Sequence, residues 1–274
     1  TLANYGKIQS GAMESTAETP NLVEVMSCEG GCIAGGGQPR VNMTTPVLKT
    51  KRMKGLYKSD KKMKKIELEQ IDNYKYEKEL NNQGINLIAG VDEVGRGPLI
   101  GPVVAAAVIL PQNFKLDGLT DSKKLSEKKR EQFYEIIKKD ALAIGLGIIS
   151  EKRIDEINIY EATKEAMKEA INNLSVKPEH ILIDAMPLDL DIPTTSIIKG
   201  DLLSLTISAA SVIAKVTRDH MLYDIDQEYP MYDLKNNKGY GTKKHIDAIK
   251  EYGITKYHRL SFKPVFDNKD KINN

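Results

Sequence analysis

Residues 87–110 constrain the fold more than any other stretch of the chain. They read LIAGVDEVGRGPLIGPVVAAAVIL, in which an apolar run ends at Asp92 and Glu93 and a second one begins at Val103. Continuous apolar runs of this length are typical of strands that are covered on both faces. The sequence therefore predicts two core strands joined by a polar bend, with two carboxylates where the first strand meets solvent.

The two adjacent carboxylates can serve one site only if the backbone bends there, because side chains alternate sides along a regular strand. The glycines just downstream, beginning with Gly95, permit such a bend. Hard divalent cations bind carboxylate oxygens, and Mg²⁺ is usually held by one or two carboxylates together with substrate phosphates. We interpret the pair as part of a candidate metal site, although an isolated Asp-Glu pair is more often a solvated strand end.

The rest of the chain alternates between strand and helix patterns, which favours an α/β domain with a mixed central sheet and helices on its faces. Apolar periodicity, capping residues and turn residues predict the elements. The predicted helices cover 66–80, a segment capped by Ser126, 151–157, 159–174, 202–229 and 243–252; further strands cover 141–149, 180–184 and 195–199.

Six motifs occur in an order that resembles the ribonuclease HII family, the type 2 ribonucleases H. They are GVDEVGRGPLIGPVV, DSKKLS, LIDA, KGD, SAASVIAKVTRD and KGYGT, and the resemblance spans about residues 66–265. It implies a ribonuclease H-like fold, with a mixed central sheet flanked by helices and a C-terminal helical region. We expect residues 65–274 to form the catalytic domain.

Four acids at element ends match family residues that bind Mg²⁺ or Mn²⁺: Asp92, Glu93, Asp184 and Asp201. In the two-metal hydrolysis that the resemblance implies, one ion activates a water molecule and the other stabilises the leaving oxygen. Four acids packed together without a metal would raise one another's pKa, so such a cluster is hard to explain as structure alone. Asp219 is a rival that we interpret as a helix-surface or structural acid.

Substrate-binding residues are also implied by the resemblance. Gly95, Arg96 and Gly97 match the family segment that grips the 2′-hydroxyl and phosphates at a junction between ribonucleotide and deoxyribonucleotide, and the 2′-hydroxyl is what distinguishes RNA from DNA. Tyr240 matches a tyrosine that packs on the next, deoxy sugar, and Lys123 a residue that contacts backbone phosphate. Taken alone, the glycines would be turn formers and Tyr240 a half-buried loop aromatic.

Other polar residues are weaker candidates. His245 and His258 are left out of the site, because lone histidines are more often packing or surface residues. Additional basic residues are candidates for phosphate contacts of the kind that give affinity without sequence reading, namely Lys215, Arg218, Lys238 and Lys243.

Composition limits the possible partners. The chain has 274 residues with 40 basic and 38 acidic side chains, so a nucleic-acid interface must depend on where the charges lie and not on their sum. No apolar run reaches the roughly 18 residues of a membrane-spanning helix. Cysteine occurs only at Cys28 and Cys32, which fits a reducing compartment. We expect a cytoplasmic monomer without a membrane partner.

Residues 1–64 differ in character from the remainder. The segment VEVMSCEGGCIAGGGQPRVN resembles the C-terminal part of iron-only hydrogenases, in which the cysteines matching Cys28 and Cys32 ligate an iron cluster. Fe–S clusters generally need four protein ligands, and the other two family ligands lie upstream of this match. We expect a flexible extension without function of its own.

The resemblance to the ribonuclease HII family implies a metal-dependent endonuclease that hydrolyses the RNA strand of RNA–DNA hybrids. The resemblance further implies incision at single ribonucleotides within duplex DNA, with 5′-phosphate and 3′-hydroxyl products. Three alternatives remain open at this point. They are a DNA nuclease or transposase-like enzyme of the same fold, a protein that binds hybrids without cutting them, and a cluster-bearing module around Cys28 and Cys32.

Overall fold

A five-stranded mixed sheet organises the protein. The computed structural model describes residues 73–119 and 125–270. The strands are β1 (Ile88–Val94), β2 (Val103–Ile109), β3 (Ala143–Ile149), β4 (His180–Asp184) and β5 (Thr194–Ile197), in the order β3-β2-β1-β4-β5. β2 is antiparallel to β1 and β3, whereas β4 is parallel to both β1 and β5. The predicted α/β fold with a mixed sheet is confirmed.

The parallel pairing of β1 with β4 brings distant parts of the sequence to one edge of the sheet. Val91 is the register partner of Ile183. The next residues along the two strands are Asp92 and Asp184, so both carboxylates lie at the same strand ends. Sites in α/β proteins are commonly built outside the carboxyl ends of parallel strands.

Helices cover both faces of the sheet. They are α1 (Lys75–Asn81), α2 (Glu127–Asp140), α3 (Glu151–Asn172), α4 (Gly200–Leu203), α5 (Leu205–Glu228), α6 (Leu234–Asn237), α7 (Lys243–Tyr252) and α8 (Lys263–Phe266), with a 3₁₀ turn at Pro230–Tyr232. One core cluster joins the sheet to α3, and a second joins its other face to α2 and α5. A third packs Leu99, Ile100 and the end of α5 against the C-terminal helices. Among the described helices, none has both the length and the apolar character needed to cross a membrane.

Glycines allow both large helices to approach the sheet closely. A Cβ atom at Gly147 in β3 would lie 1.9 Å from the carbonyl oxygen of Ala166 in α3. On the other face, a Cβ atom at Gly90 in β1 would lie 2.1 Å from the carbonyl carbon of Thr206 in α5. The start of α5 is therefore pressed against β1, next to the strand end that carries Asp92.

Most predicted elements occur close to their predicted bounds. The Ser126 hydroxyl accepts a hydrogen bond from the backbone N–H of Lys129, as expected of an N-cap. The two helices predicted on either side of Asn158 are present as one helix with a kink, because Asn158 has a left-handed backbone (φ 69°). The helix predicted from Leu202 divides at Ser204, whose side chain caps α5. Residues 66–72 of the first predicted helix and the extension over 1–64 lie outside the described residues.

Candidate active site

Asp92 is a carboxylate buried at the end of β1, with only 6% of its surface exposed. Its Oδ1 accepts a hydrogen bond from the backbone N–H of Glu93 at 2.8 Å. Burial raises the pKa of Asp92 well above its usual value, and the negative charges of Glu93 and Asp184 raise it further. A hydrogen bond from the Ser211 side chain on α5 opposes these effects only in part. A buried acid surrounded by like charges is a strong candidate for a cation site.

Glu93 follows Asp92 on a strand that remains regular as far as Val94. The expected bend between the two carboxylates is absent, since the backbone turns only at Gly95 (φ 98°). Asp92 therefore faces α5, while Glu93 follows Val91 towards the face that α3 covers. The two carboxylates are nevertheless close enough for the charge of Glu93 to raise the pKa of Asp92, so both can serve one site without that bend. The Glu93 side chain is 13% exposed, and its Oε1 lies 3.4 Å from Nη1 of Arg96.

Asp184 ends β4 and is linked to the segment that carries Asp201. The backbone N–H of Gly200 donates to Oδ1 of Asp184 at 2.7 Å. Asp201 is the next residue, in the first turn of α4, and its backbone carbonyl accepts a hydrogen bond from the Ser208 hydroxyl at 2.7 Å. The sheet edge thus gathers Asp92, Glu93 and Asp184, with Asp201 one residue from an atom that contacts Asp184.

The fit of these acids to a divalent cation rests on their chemistry. Within residues 73–119 and 125–270, no three His, Cys, Asp or Glu side chains form a preassembled metal cluster. Burial and the repulsion from Glu93 and Asp184 raise the pKa of Asp92, and a bound cation would offset both effects. Because Mg²⁺ is usually completed by substrate phosphates and not by an all-protein cage, an open set of carboxylates fits such an ion.

Asp219 lies on α5 and is engaged elsewhere. It is 3% exposed, and its Oδ1 lies 2.6 Å from Nζ of Lys215, one helical turn earlier. Of the two interpretations given for Asp219, the structural acid is confirmed and the helix-surface acid is not, because the residue is buried in an ion pair.

The loop from Gly95 to Pro102 is held by two buried arginines. Arg218 on α5 donates to the carbonyl oxygens of Ile100 and Pro102, at 3.0 and 2.9 Å. Arg259 donates to the carbonyl oxygens of Gly95, Arg96 and Gly101, at 2.7, 3.2 and 2.9 Å.

The arginines are 1% and 0% exposed, respectively. Arg218 is therefore not available for phosphate, which corrects the weaker prediction made for it. Its guanidinium satisfies backbone carbonyls because a buried charge without partners would be costly.

Two of the predicted substrate-binding residues, Arg96 and Gly97, lie at the exposed crest of this loop. Their backbone N–H groups donate to no residue in the described part of the chain. The Tyr240 ring lies against Gly97, since a Cβ atom there would be 3.2 Å from Tyr240 Cε1. Lys123 lies outside the described residues.

Sequence reasoning missed Ser211 and Arg259, and it assigned Arg218 to the wrong role. A signal for Ser211 was present, because it is a polar residue within the apolar run of α5. For Arg259 the sequence offered only its place beside His258, because the carbonyl groups that it binds are more than 150 residues earlier in the chain.

Comparison with known proteins identifies the family. The family model described as "Ribonuclease HII" matches residues 89–265. A ribonuclease HII from Bacillus cytotoxicus is 56% identical over 217 residues, covering 79% of this chain and 83% of the relative. One from Bacillus mycoides is 60% identical over 193 residues, covering 70% of this chain and 75% of the relative.

A solved structure has the same fold. The crystal structure of ribonuclease H2 from Pyrococcus horikoshii OT3 matches with a TM-score of 0.58 and 26% identity, covering 67% of this chain and 97% of that one. With an acidic sheet edge, a matching family model and similar relatives over most of their length, the chain belongs to the ribonuclease HII family and is a ribonuclease H enzyme.

Proposed function

We propose that this protein is a divalent-metal-dependent endonuclease that cuts the RNA strand of RNA–DNA hybrids. We further propose that it incises on the 5′ side of single ribonucleotides embedded in duplex DNA, leaving 5′-phosphate and 3′-hydroxyl ends. The observation that carries this proposal is the charged environment of buried Asp92, next to Glu93 and Asp184 at one edge of the sheet.

In this proposal Asp92, Glu93, Asp184 and Asp201 hold the metal, either Mg²⁺ or Mn²⁺. When bound, a pair of such ions lowers the pKa of water and stabilises the leaving 3′ oxygen across the scissile phosphate. The Gly200 N–H fixes one Asp184 oxygen at 2.7 Å, which orients the other oxygen of that carboxylate. Ser211 and the Glu93 N–H orient Asp92 in the same way.

Recognition of the ribonucleotide is assigned to the neighbouring loop. The two buried arginines turn five of its carbonyl oxygens inward, and the N–H groups of Arg96 and Gly97 at the crest donate to no acceptor within residues 73–119 and 125–270. Such donors suit a 2′-hydroxyl and a phosphate oxygen. The exposed ring of Tyr240 beside Gly97 offers an apolar surface to the following deoxyribose. Lys123 is proposed as a further phosphate contact.

Substitution of the acids tests the site. We expect Asp92→Asn and Asp184→Asn to reduce cleavage by far more than the roughly 100-fold typical of an outer-shell metal partner, while hybrid binding is retained. The measurement is the single-turnover rate on a duplex with one ribonucleotide, with and without Mg²⁺. Asp189→Asn is the matched control, because Asp189 is an exposed acid shortly after β4. Full activity of either site variant would refute the assignment.

The substrate class is tested separately. An all-DNA duplex, an RNA–DNA hybrid and a DNA duplex with one ribonucleotide are compared at equal enzyme concentration. We expect metal-dependent cleavage of the last two only. Cleavage of the all-DNA duplex would indicate a DNA nuclease, and binding without any product would indicate a binding protein.

The remaining assignments concern the whole chain. We propose that residues 65–274 act as a monomeric catalytic domain in the cytoplasm and that residues 1–64 are an extension that catalysis does not need. Limited proteolysis should then remove the extension first and leave cleavage activity unchanged. An extension as resistant as the rest of the chain would contradict this division.

A further inference from the structure

Two buried histidines form a pair that the proposed chemistry does not use. His245 lies on α7 and His258 near the end of the chain, and both are buried. Their Nε2 atoms are 3.3 Å apart. Each ring also has a backbone partner at its other nitrogen, so the pair connects two segments of main chain.

The partners fix the direction of every hydrogen bond in this pair. The backbone N–H of Thr255 donates to Nδ1 of His258 at 3.0 Å, and an amide can only donate, so that nitrogen carries no proton. In the neutral ring the proton is then on Nε2, which donates to Nε2 of His245. The proton of His245 is consequently on Nδ1, at 3.0 Å from the carbonyl oxygen of Tyr240, which can only accept.

Both rings are neutral at ordinary pH. Burial lowers the pKa of His245, and burial together with the neighbouring His245 lowers the pKa of His258 to about 3. The hydrogen-bond chain therefore runs in one direction, from the Thr255 amide to the Tyr240 carbonyl.

The hydrogen-bond chain ends at Tyr240, an exposed residue whose backbone must be held for its ring to keep one position. The side chain of Tyr240 is half exposed, and it follows Lys238 and Gly239, which both have positive φ. Its ring nevertheless lies against Gly97, within the proposed ribose-binding surface. The carbonyl of Tyr240 accepts from His245 and from the N–H of Thr242, so the backbone of this exposed residue is tied to a buried group.

We propose that His245 is a positioning residue that determines specificity, because it holds the Tyr240 backbone so that the tyrosine ring packs on the deoxyribose next to a ribonucleotide, while His258 fixes the tautomer of His245. The inference rests on the proposed function and deepens it. It predicts that loss of the bond to Tyr240 weakens the preference for a ribonucleotide–deoxyribonucleotide junction more than it weakens cleavage itself.

Two substitutions at one position separate this role from simple packing. The Asn amide nitrogen occupies the place of Nδ1, so His245→Asn still donates to Tyr240. The Gln amide reaches the place of Nε2, so His245→Gln keeps the contact with His258 and loses Tyr240. We measure kcat and KM on two substrates. One is a DNA duplex that contains a single ribonucleotide, and the other is a hybrid of an RNA strand with a DNA strand.

We expect His245→Asn to keep the wild-type ratio of kcat/KM between the two substrates. His245→Gln should reduce this ratio roughly three- to tenfold, as expected for one hydrogen bond. His220→Gln is the control, because His220 lies on the exposed side of α5 and pairs with Glu131. A wild-type ratio in folded His245→Gln would overturn the proposal.

A double-mutant cycle shows whether the effect passes through the tyrosine. In a Tyr240→Ala background, His245→Gln should leave the ratio unchanged, because coupled residues are not additive. An equal reduction in both backgrounds would overturn the proposal.

¹⁵N NMR of the wild-type protein provides a readout independent of activity. We expect Nδ1–H in His245 and Nε2–H in His258, and the opposite tautomers would refute the hydrogen-bond chain. If the wild type cleaves no ribonucleotide-containing duplex, the proposed function fails, and the NMR result still decides the hydrogen-bond chain.

Discussion

The roles of several residues in this protein follow from their surroundings more than from their residue type. Arg218 and Arg259 are basic residues in a nucleic-acid enzyme, yet their guanidinium groups bind the backbone of the Gly95–Pro102 loop. Gly95 belongs to the same arrangement. A Cβ atom at Gly95 would lie 2.3 Å from Nε of Arg218. The first glycine of the GRG motif is therefore required by the arginine beneath it as well as by its positive φ.

A comparison of two glycines tests this requirement. Gly95 and Gly84 both have positive φ, 98° and 85°, but a Cβ atom at Gly84 would have nothing within 4 Å. We expect Gly84→Ala to cost about 1 kcal/mol from backbone strain. Gly95→Ala should cost a further 1–3 kcal/mol, approximately, from the clash with Arg218. Urea unfolding measures both, and equal losses would show that the clash is relieved at no cost.

The ionised Asp92 carboxylate should reduce the free energy of unfolding when no metal is bound. Its raised folded pKa means that ionisation costs folding free energy; this cost is absent below the unfolded pKa, grows as pH rises from the unfolded towards the folded pKa, and is complete above the folded pKa. At neutral pH in EDTA, Asp92→Asn should therefore stabilise the protein by about 1 kcal/mol, as substitutions at strained functional positions commonly do.

The metal response provides the control for this prediction. Adding Mg²⁺ or Mn²⁺ should raise the Tm of the wild type more than that of Asp92→Asn, because the ion offsets a repulsion that the variant lacks. A lower Tm for Asp92→Asn in EDTA would show that the carboxylate is already compensated by the protein.

At the level of elements, the close approach of α3 to β3 carries much of the packing. A side chain at Gly147 would meet the backbone of Ala166 and not a movable side chain. Gly147→Ala should therefore push α3 away from the sheet and cost about 1–3 kcal/mol. Ile148→Val is the control on the exposed neighbour, with an expected change within about 0.5 kcal/mol. Thermal or urea unfolding measures both; a loss no larger than the control's would mean that α3 shifts freely.

The elements also show which features the sequence can predict. Strand β4 and helix α7 have their predicted bounds, and the break at Asn158 was expected from two separate helical patterns, because such features depend on local periodicity and capping. The location of the acids at element ends was likewise predictable. The contacts that hold the Gly95–Pro102 loop were not predictable, since Arg259 donates to carbonyl groups 158 to 164 residues earlier in the chain, and no local pattern encodes such contacts.

For the whole molecule, the buried histidines predict how stability depends on pH. Their pKa values are lowered in the folded state, to about 3 for His258, so their contribution to stability is complete above the unfolded pKa near 6.5 and is lost as pH falls below it. Between pH 6.5 and 5, His258 alone should reduce the free energy of unfolding by about 2 kcal/mol. Urea unfolding across this range tests the slope.

The variant His258→Asn provides the comparison. Asn can still accept from the Thr255 amide and does not titrate, so its stability should vary less over the same pH range. If the free energy of unfolding changed with pH equally in the variant and the wild type, other groups would be the cause of the acid sensitivity.

The contact between Arg259 and Gly95 has a consequence for synthesis of the protein. The loop beside the first acidic residue gains its carbonyl partners only after the segment around residue 259 has left the ribosome. A growing chain that already contains all four acids still lacks the contacts that hold its Gly95–Pro102 loop. We therefore expect a chain terminated before this arginine to cleave its substrate poorly, even though it contains every proposed metal ligand.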